Sequence, residues 1–313
     1  TFNIINMHLK SVIVLFFMSY LCFSQKNETY SYENEFGNAP KIIKYDRNDF
    51  NADPQFWTMC ETPDKSLIFG NNDGALVFDG EHWQKVYLPN NSSVRCIIKS
   101  NQGKIYVGGY NELGTLEKNK FGNYFYKSLV KEFHLEDKNL ENLWQVHQSN
   151  NLIIYRSFIE LVVINGSRVT QLPPNKTFSY AATVRDNYFV QDLDFGVYKL
   201  NPKSLNLELI FDNNLFPMGE LVSILPTKDP NIILLTSKVG VIYTGDISKR
   251  TIVNKKNLFL DAKSDQVSNG ICLDNYDYLF GTLSSKIIRL DHSGIISRGN
   301  ETFPSLSNAS IHF

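Results

Sequence analysis

The residues best equipped for chemistry sit in short polar stretches that separate apolar runs. Asn71, Asn72 and Asp73 form the first; Tyr110, Asn111 and Glu112 the second; Arg156 and Ser157 the third. Gln191, Asp192 and Asp194, then Ser237 and Lys238, then Thr282 and Ser284 continue the series. Amide, carboxylate, guanidinium, ammonium and phenol groups gathered on one surface would hydrogen-bond a polar ligand such as a sugar or a peptide. Their variety from stretch to stretch is what a binding site requires. The plainer alternative is that they cap turns and meet water, as loop residues usually do. The ligand-contact expectation therefore falls on Asn71, Asn72, Tyr110, Asn111, Glu112, Arg156, Gln191, Asp192, Asp194 and Lys238.

Covalent and metal chemistry have little support. The chain lacks GxSxG, HExxH, a P-loop and GxGxxG, and the glycines at Gly108 to Gly114 are not followed by the Lys-Ser/Thr that phosphate binding needs. No metal site, cofactor or catalytic residue is expected. His134 with Glu136 and Asp137 reads as a solvated patch. An enzyme, as a glycoside hydrolase or lyase, would need two carboxylates facing each other roughly 5–9.5 Å apart. Glu112 with Asp192 or Asp194 is the one candidate pair.

The elements that must position these residues repeat. Phe56 to Pro89 holds four short apolar runs: Trp57 to Cys60, Leu67 to Phe69, Ala75 to Phe78 and the alternating His82 to Leu88. Pro63-Asp64-Lys65, Asn71 to Gly74 and Asp79-Gly80 are the turns between them, the last a strong hairpin signal because both positions tolerate positive φ. A four-stranded antiparallel meander of this size is one blade of a β-propeller. The unit recurs at approximately 94–133, 143–178, 179–219, 220–264 and 266–308, and 309–313 looks like the start of a seventh. Second strands recur every 35 to 46 residues or so, the period of propeller blades. The expected fold is all-β, a propeller over 41–313 with seven blades as the leading count and six or eight as alternatives. In a propeller, the loops joining second to third strands share one face around the central channel. Every polar stretch above is such a loop.

Other segments carry their own expectations. Met7 to Lys10 is a basic n-region, Ser11 to Phe23 is apolar, and Ser24-Gln25 offers a cleavage point; 1–25 reads as a secretory signal with upstream residues, and a retained anchor is the alternative. Residues 26–40 read as an irregular lead-in. Lys41 to Tyr45 reads as a lone strand that closes the ring, and Lys127 to Leu140 as a short helical insertion. Cys60, Cys96 and Cys272, an odd number after export, read as buried free thiols in first strands. With 42% hydrophobic residues the chain can bury a large core, and a net charge of -1 with interspersed signs gives no face for nucleic acid.

Leu67 to Gly80 (LIFGNNDGALVFDG) resembles the two-component-regulator propeller repeat, with Ile105 to Gly114 a second match and Tyr278 to Leu290 a degenerate third. The opening at Pro40 to Tyr45 and Asp53 to Trp57 is similar as well. The arrangement resembles the N-terminal sensor region of Bacteroidetes membrane regulators carrying a triple-tyrosine domain. The resemblance implies an exported, non-catalytic, ligand-sensing propeller. It also implies a following triple-tyrosine β-domain, a membrane span and a LuxR-type or histidine-kinase output, with the propeller in the periplasm and the full-length protein a homodimer. Tyr155 to Phe158 and Val190 to Leu193 depart from the family's Gly-Thr element.

Overall fold

The computed structural model describes residues 43–298 apart from 259, 261–264 and 285. A four-residue helix, α1 (Arg47–Phe50), is closed by a capping box of Asp46 and Asp49 and ends at Asn51 with φ 46°. Strands follow to the end of the described chain. Blade 1 is β1 (Phe56–Glu61), β2 (Leu67–Asn71), β3 (Gly74–Phe78) and β4 (Trp83–Val86). Blade 2 is β5 (Val94–Lys99), β6 (Ile105–Gly109), β7 (Leu113–Lys118) and β8 (Tyr124–Ser128). Blade 3 is β9 (Gln145–Ser149), β10 (Leu152–Arg156), β11 (Leu161–Asn165) and β12 (Arg168–Leu172). Blade 4 is β13 (Phe178–Val184), β14 (Asn187–Asp192), β15 (Gly196–Leu200) and β16 (Leu207–Asp212). Blade 5 is β17 (Leu221–Pro226), β18 (Ile232–Ser237), β19 (Val241–Asp246) and β20 (Thr251–Asn257). Blade 6 is β21 (Val267–Cys272), β22 (Tyr278–Thr282), β23 (Ile287–Leu290) and β24 (Ile296–Arg298).

Each group of four is a separate antiparallel sheet with strands in sequence order, so the described residues form six meanders of one topology. The turns follow their residues. Gly74 begins β3 at φ 120°, and a Cβ there would fall 2.5 Å from the Val86 carbonyl oxygen. Gly196, at the same place in blade 4, has φ 135° and would meet the Phe211 carbonyl oxygen at 2.1 Å. Only glycine serves both the turn and the close approach of the fourth strand.

A single blade exposes two apolar faces, and stacking buries them. Ile68, Val77, Ile97 and Val107 join blades 1 and 2; Cys96, Leu113, Ile153 and Tyr155 join blades 2 and 3. Ile154, Val163, Tyr188 and Val190 join blades 3 and 4, Phe189, Phe211, Ile224 and Leu235 blades 4 and 5, and Leu234, Ile242, Phe280 and Ile288 blades 5 and 6. Consecutive blades also meet through their first strands, from β1 against β5 through to β17 against β21. First strands are therefore innermost and surround the channel.

One expectation changes, and the ring-closing strand falls partly outside the described residues. Ile43 to Tyr45 lie in no strand, and Lys41 and Ile42 fall outside the described residues. The face of blade 1 turned away from blade 2 is covered by Phe50 and Ala52, which pack on Leu76; Phe50 stacks edge-on to Phe56 at 5.2 Å. Lys127 to Leu140 is not a helix: after β8 it forms turns, with one helix-like bond from Phe133 N–H to the Leu129 carbonyl at 3.0 Å. Its apolar residues are anchors, for Leu129, Leu135 and Leu140 are buried beside Leu143 in the core between blades 2 and 3. The expected signal sequence, the lead-in and the start of a seventh repeat lie outside the described residues. Cys60, Cys96 and Cys272 are unpaired and lie in β1, β5 and β21; Cys96 is buried and the other two are half-buried.

Candidate functional site

The polar stretches singled out in the sequence all lie at the ends of second strands or in the loops that follow, so the topology gathers them on one face. Most are turned into the protein there. Asn71, fully buried, donates to the carbonyls of Asp53 (2.7 Å) and Gln55 (2.9 Å) and accepts from Asp73 N–H. Asn111, at φ 49°, exchanges two hydrogen bonds with the Glu141 backbone. Glu112 is buried and accepts from the Tyr126 (3.0 Å) and Ser128 (2.6 Å) hydroxyls. The Asp192 carboxylate accepts three backbone N–H groups, from Asn175, Lys176 and Thr177. Asp194 pairs with Lys176 and Lys238 with Glu220, both at the surface. Ser284 Oγ donates to Asp265 at 2.6 Å.

Two of these positions bind blade to blade. Gln191 donates to the Gly219 carbonyl (2.6 Å) and accepts from Leu221 N–H (2.8 Å) at the entry to blade 5. Arg156, 4% exposed, donates from Nε to Gln145 Oε1 (2.6 Å) and from Nη1 to the Phe178 carbonyl (2.7 Å) in blade 4. Burial lowers the pKa of its guanidinium to about 10. Gln145 in turn holds both backbone groups of Ala181. The loops are tied down the same way: Gly109, Phe158 and Lys238 carbonyls accept from Leu143, Phe178 and Val267 N–H of the following blades.

What this face leaves accessible is a different set. Register shifts by one residue in β1, β5, β13, β17 and β21, at Trp57, Arg95, Ser179, Val222 and Ser268. These bulges share one place, the second residue of the innermost strand; blade 3 has no bulge, and Trp144 lies just before its innermost strand β9. A bulge re-aims its side chain, and the five bulged side chains, like Trp144, are partly exposed at the channel mouth. On one side they are large. Trp57 and Trp144, from blades that are not neighbours, meet edge-on at 6.0 Å. Arg95, from the blade between, lies with its guanidinium carbon 3.7 Å from the Trp57 ring centroid and 5.0 Å from that of Trp144. Trp144 also meets Phe158 at 5.6 Å, and Asn72 fixes Trp57 by accepting its indole N–H at 2.8 Å.

Among the described residues Arg95 has no acceptor. Its Nε and Nη1 are enclosed without a hydrogen-bond partner, while Nη2 is not among the enclosed atoms. Burial alone depresses its pKa. The rim mixes these surface ion pairs with apolar and aromatic side chains: Tyr110, Phe158, Ile159, Phe195, Val239 and Leu283, all exposed, stand in the second-to-third loops of blades 2 to 6. Of the expected residues, Asn72 and Tyr110 stand open on this face, and Asp194 and Lys238 are exposed there in ion pairs. Trp57, Arg95, Trp144 and Phe158 were not foreseen. Their signal is positional: each of the first three follows the apolar residue that opens its repeat.

Solved structures share this architecture. The chain resembles the extracellular domain of the putative one-component system BT4673 from B. thetaiotaomicron at TM-score 0.59 and 15% identity over 81% of this chain. It spans about a third, 35%, of that chain. It also resembles virginiamycin B lyase from Staphylococcus aureus (TM-score 0.62, 13% identity, 80% of this chain and 86% of that one). The WD40 β-propeller domain of Doa1 is similar at TM-score 0.60 and 11% identity, over 80% of this chain and 85% of that one. The likeness is one of fold. No family model and no curated relative matches the sequence. Among the described residues there is no cluster of metal-ligating side chains, and no helix is long and apolar enough to cross a membrane.

Proposed function

We propose that the chain is the ligand-sensing propeller of a signal-transduction regulator, non-catalytic, receiving its ligand on the face formed by the second-to-third strand loops. The observation that carries this reading is Arg95, a cation without an acceptor at the channel mouth, flanked by partly exposed tryptophans. A buried donor left unpaired is uncommon and asks for a reason, and a ligand group supplies one. Catalysis has less support, because Glu112 and Asp192 are each committed to hydroxyl and amide donors of their own blades. The resemblance of Leu67 to Gly80 to the regulator repeat and the likeness to the BT4673 extracellular domain support the regulator setting. In that setting the domain is exported to the periplasm and is followed by a triple-tyrosine domain, a membrane span and an output module. A polar small molecule, an oligosaccharide and a protein partner are the ligand classes that such a face would accept.

Thermal-shift screening of the full chain against oligosaccharides and short peptides tests the reading. A ligand that raises the melting temperature of the wild type and not of Arg95→Met supports it. Turnover of a polysaccharide that disappears in Glu112→Gln would replace it with the hydrolase or lyase alternative.

A further inference from the structure

The groups that sugar hydroxyls would need, the buried amides, carboxylates and guanidinium of Asn71, Glu112, Arg156, Gln191 and Asp192, already have partners within the protein. What stays available is one unpaired cation against indole faces, with exposed Val, Ile, Leu and Phe side chains at the loop tips; the charged side chains beside them, Asp194 and Lys238, are already ion-paired. Protein-recognition surfaces have this anatomy, with Trp and Arg at the centre of an apolar patch. Aliphatic tips match apolar side chains better than they match sugar rings.

We infer that the loop face takes a polypeptide segment in which an acidic side chain, or a terminal carboxylate, is flanked by apolar residues, and that Arg95 receives the carboxylate. Charge complementarity identifies the occupant: Arg95 has no ion-pair or hydrogen-bond partner among the described residues. The indole faces of Trp57 and Trp144 hold the guanidinium plane in place, so its orientation is fixed before a ligand arrives. Nη2 is the corner that the carboxylate meets. The apolar flanks of the segment lie over Phe158 and the loop tips. This inference rests on the sensor reading above, since it specifies the ligand of the same face.

The test is an array of short peptides carrying Glu or Asp between Leu, Ile or Phe residues, each with its Gln or Asn counterpart. Binding is measured to the wild-type chain, Arg95→Met and Arg95→Lys, with an oligosaccharide panel in parallel. The acidic peptides are expected to bind about tenfold or more tightly than their amide counterparts. That preference should vanish in Arg95→Met, and thermal melts of both variants check folding. The acid–amide comparison on the wild type stands even if a variant fails to fold. Equal binding of acid and amide peptides overturns the inference. So does the absence of peptide binding: a stabilising oligosaccharide in the parallel panel then leaves the sensor reading standing, and its absence removes both.

Discussion

Arg95 is costly for the fold, and that cost is measurable. Two of its enclosed nitrogens have no acceptor, and such groups destabilise by about 1–3 kcal/mol each when left unpaired. Arg95→Met keeps the unbranched stem as far as the place of Nε and removes the donors together with the guanidinium that lies over Trp57. We expect unfolding free energy by urea titration to rise or to stay within about 1 kcal/mol of the wild type, while ligand binding is lost. A loss of several kcal/mol would show that Arg95 is a structural residue. Gln191 behaves oppositely: it is buried and bonds both backbone groups at the entry to blade 5, so Gln191→Ala should cost about 2–3 kcal/mol in the same titration. Its amide was legible in the sequence as a polar group on the right face. That it faces inward was not, because a polar type names donors and acceptors without naming their partners. Arg156 and Asp192 mislead for the same reason.

At the level of the element, the four-strand repeat was legible because alternation, Asp-Gly and Gly-bearing turns agree with one another in the first copy and short apolar runs broken by turn signals recur at its period. The bulge in five of the six first strands was not. It is a one-residue shift in pairing, and no residue type marks it: tryptophan, arginine, serine and valine all occupy it. Aligning the repeats on their opening apolar residues finds the position afterwards. Lys127 to Leu140 misreads for a related reason, since Leu129, Leu135 and Leu140 are spaced to plug a core from successive turns. Close strand contacts also constrain the elements. A Cβ on Gly245 would fall 2.4 Å from the ring of Phe211, which is fully buried. Gly245→Ala is expected to destabilise by about 1–3 kcal/mol through overpacking. Phe211→Leu in the same chain should recover part of that loss; no recovery would place the strain elsewhere.

For the whole molecule, stability should depend on pH through His147 in β9. Its Nε2 is enclosed without a partner, its ring lies edge-on to buried Tyr188 at 5.7 Å, and burial, with Arg156 nearby, lowers its pKa from 6.5 to about 4. Above pH 6.5 the imidazole is neutral in both states. Between about pH 6.5 and 4 the unfolded chain binds a proton that the folded one refuses, so stability falls as pH falls. The slope is about 1.4 kcal/mol per pH unit in the middle of that window. Melting curves from pH 7 to pH 5 should show the decline, and His147→Phe should flatten it. An unchanged slope in the variant would assign the decline to other groups.

The three tryptophans allow a direct reading of where ligand sits. Two are at the channel mouth. Trp83 stacks on Phe78 at 4.5 Å and lines a cleft of about 580 Å³ between blades 1 and 2, beside Asp64 in the turn at the opposite end of the blade. The deciding measurement is tryptophan fluorescence of the Trp83→Phe chain during titration with the tightest-binding peptide or oligosaccharide of the screens. Emission from Trp57 and Trp144 should change saturably, and the change should disappear when Arg95→Met is added. A ligand that perturbs wild-type emission but leaves the Trp83→Phe chain silent would place its site in the cleft and contradict the account.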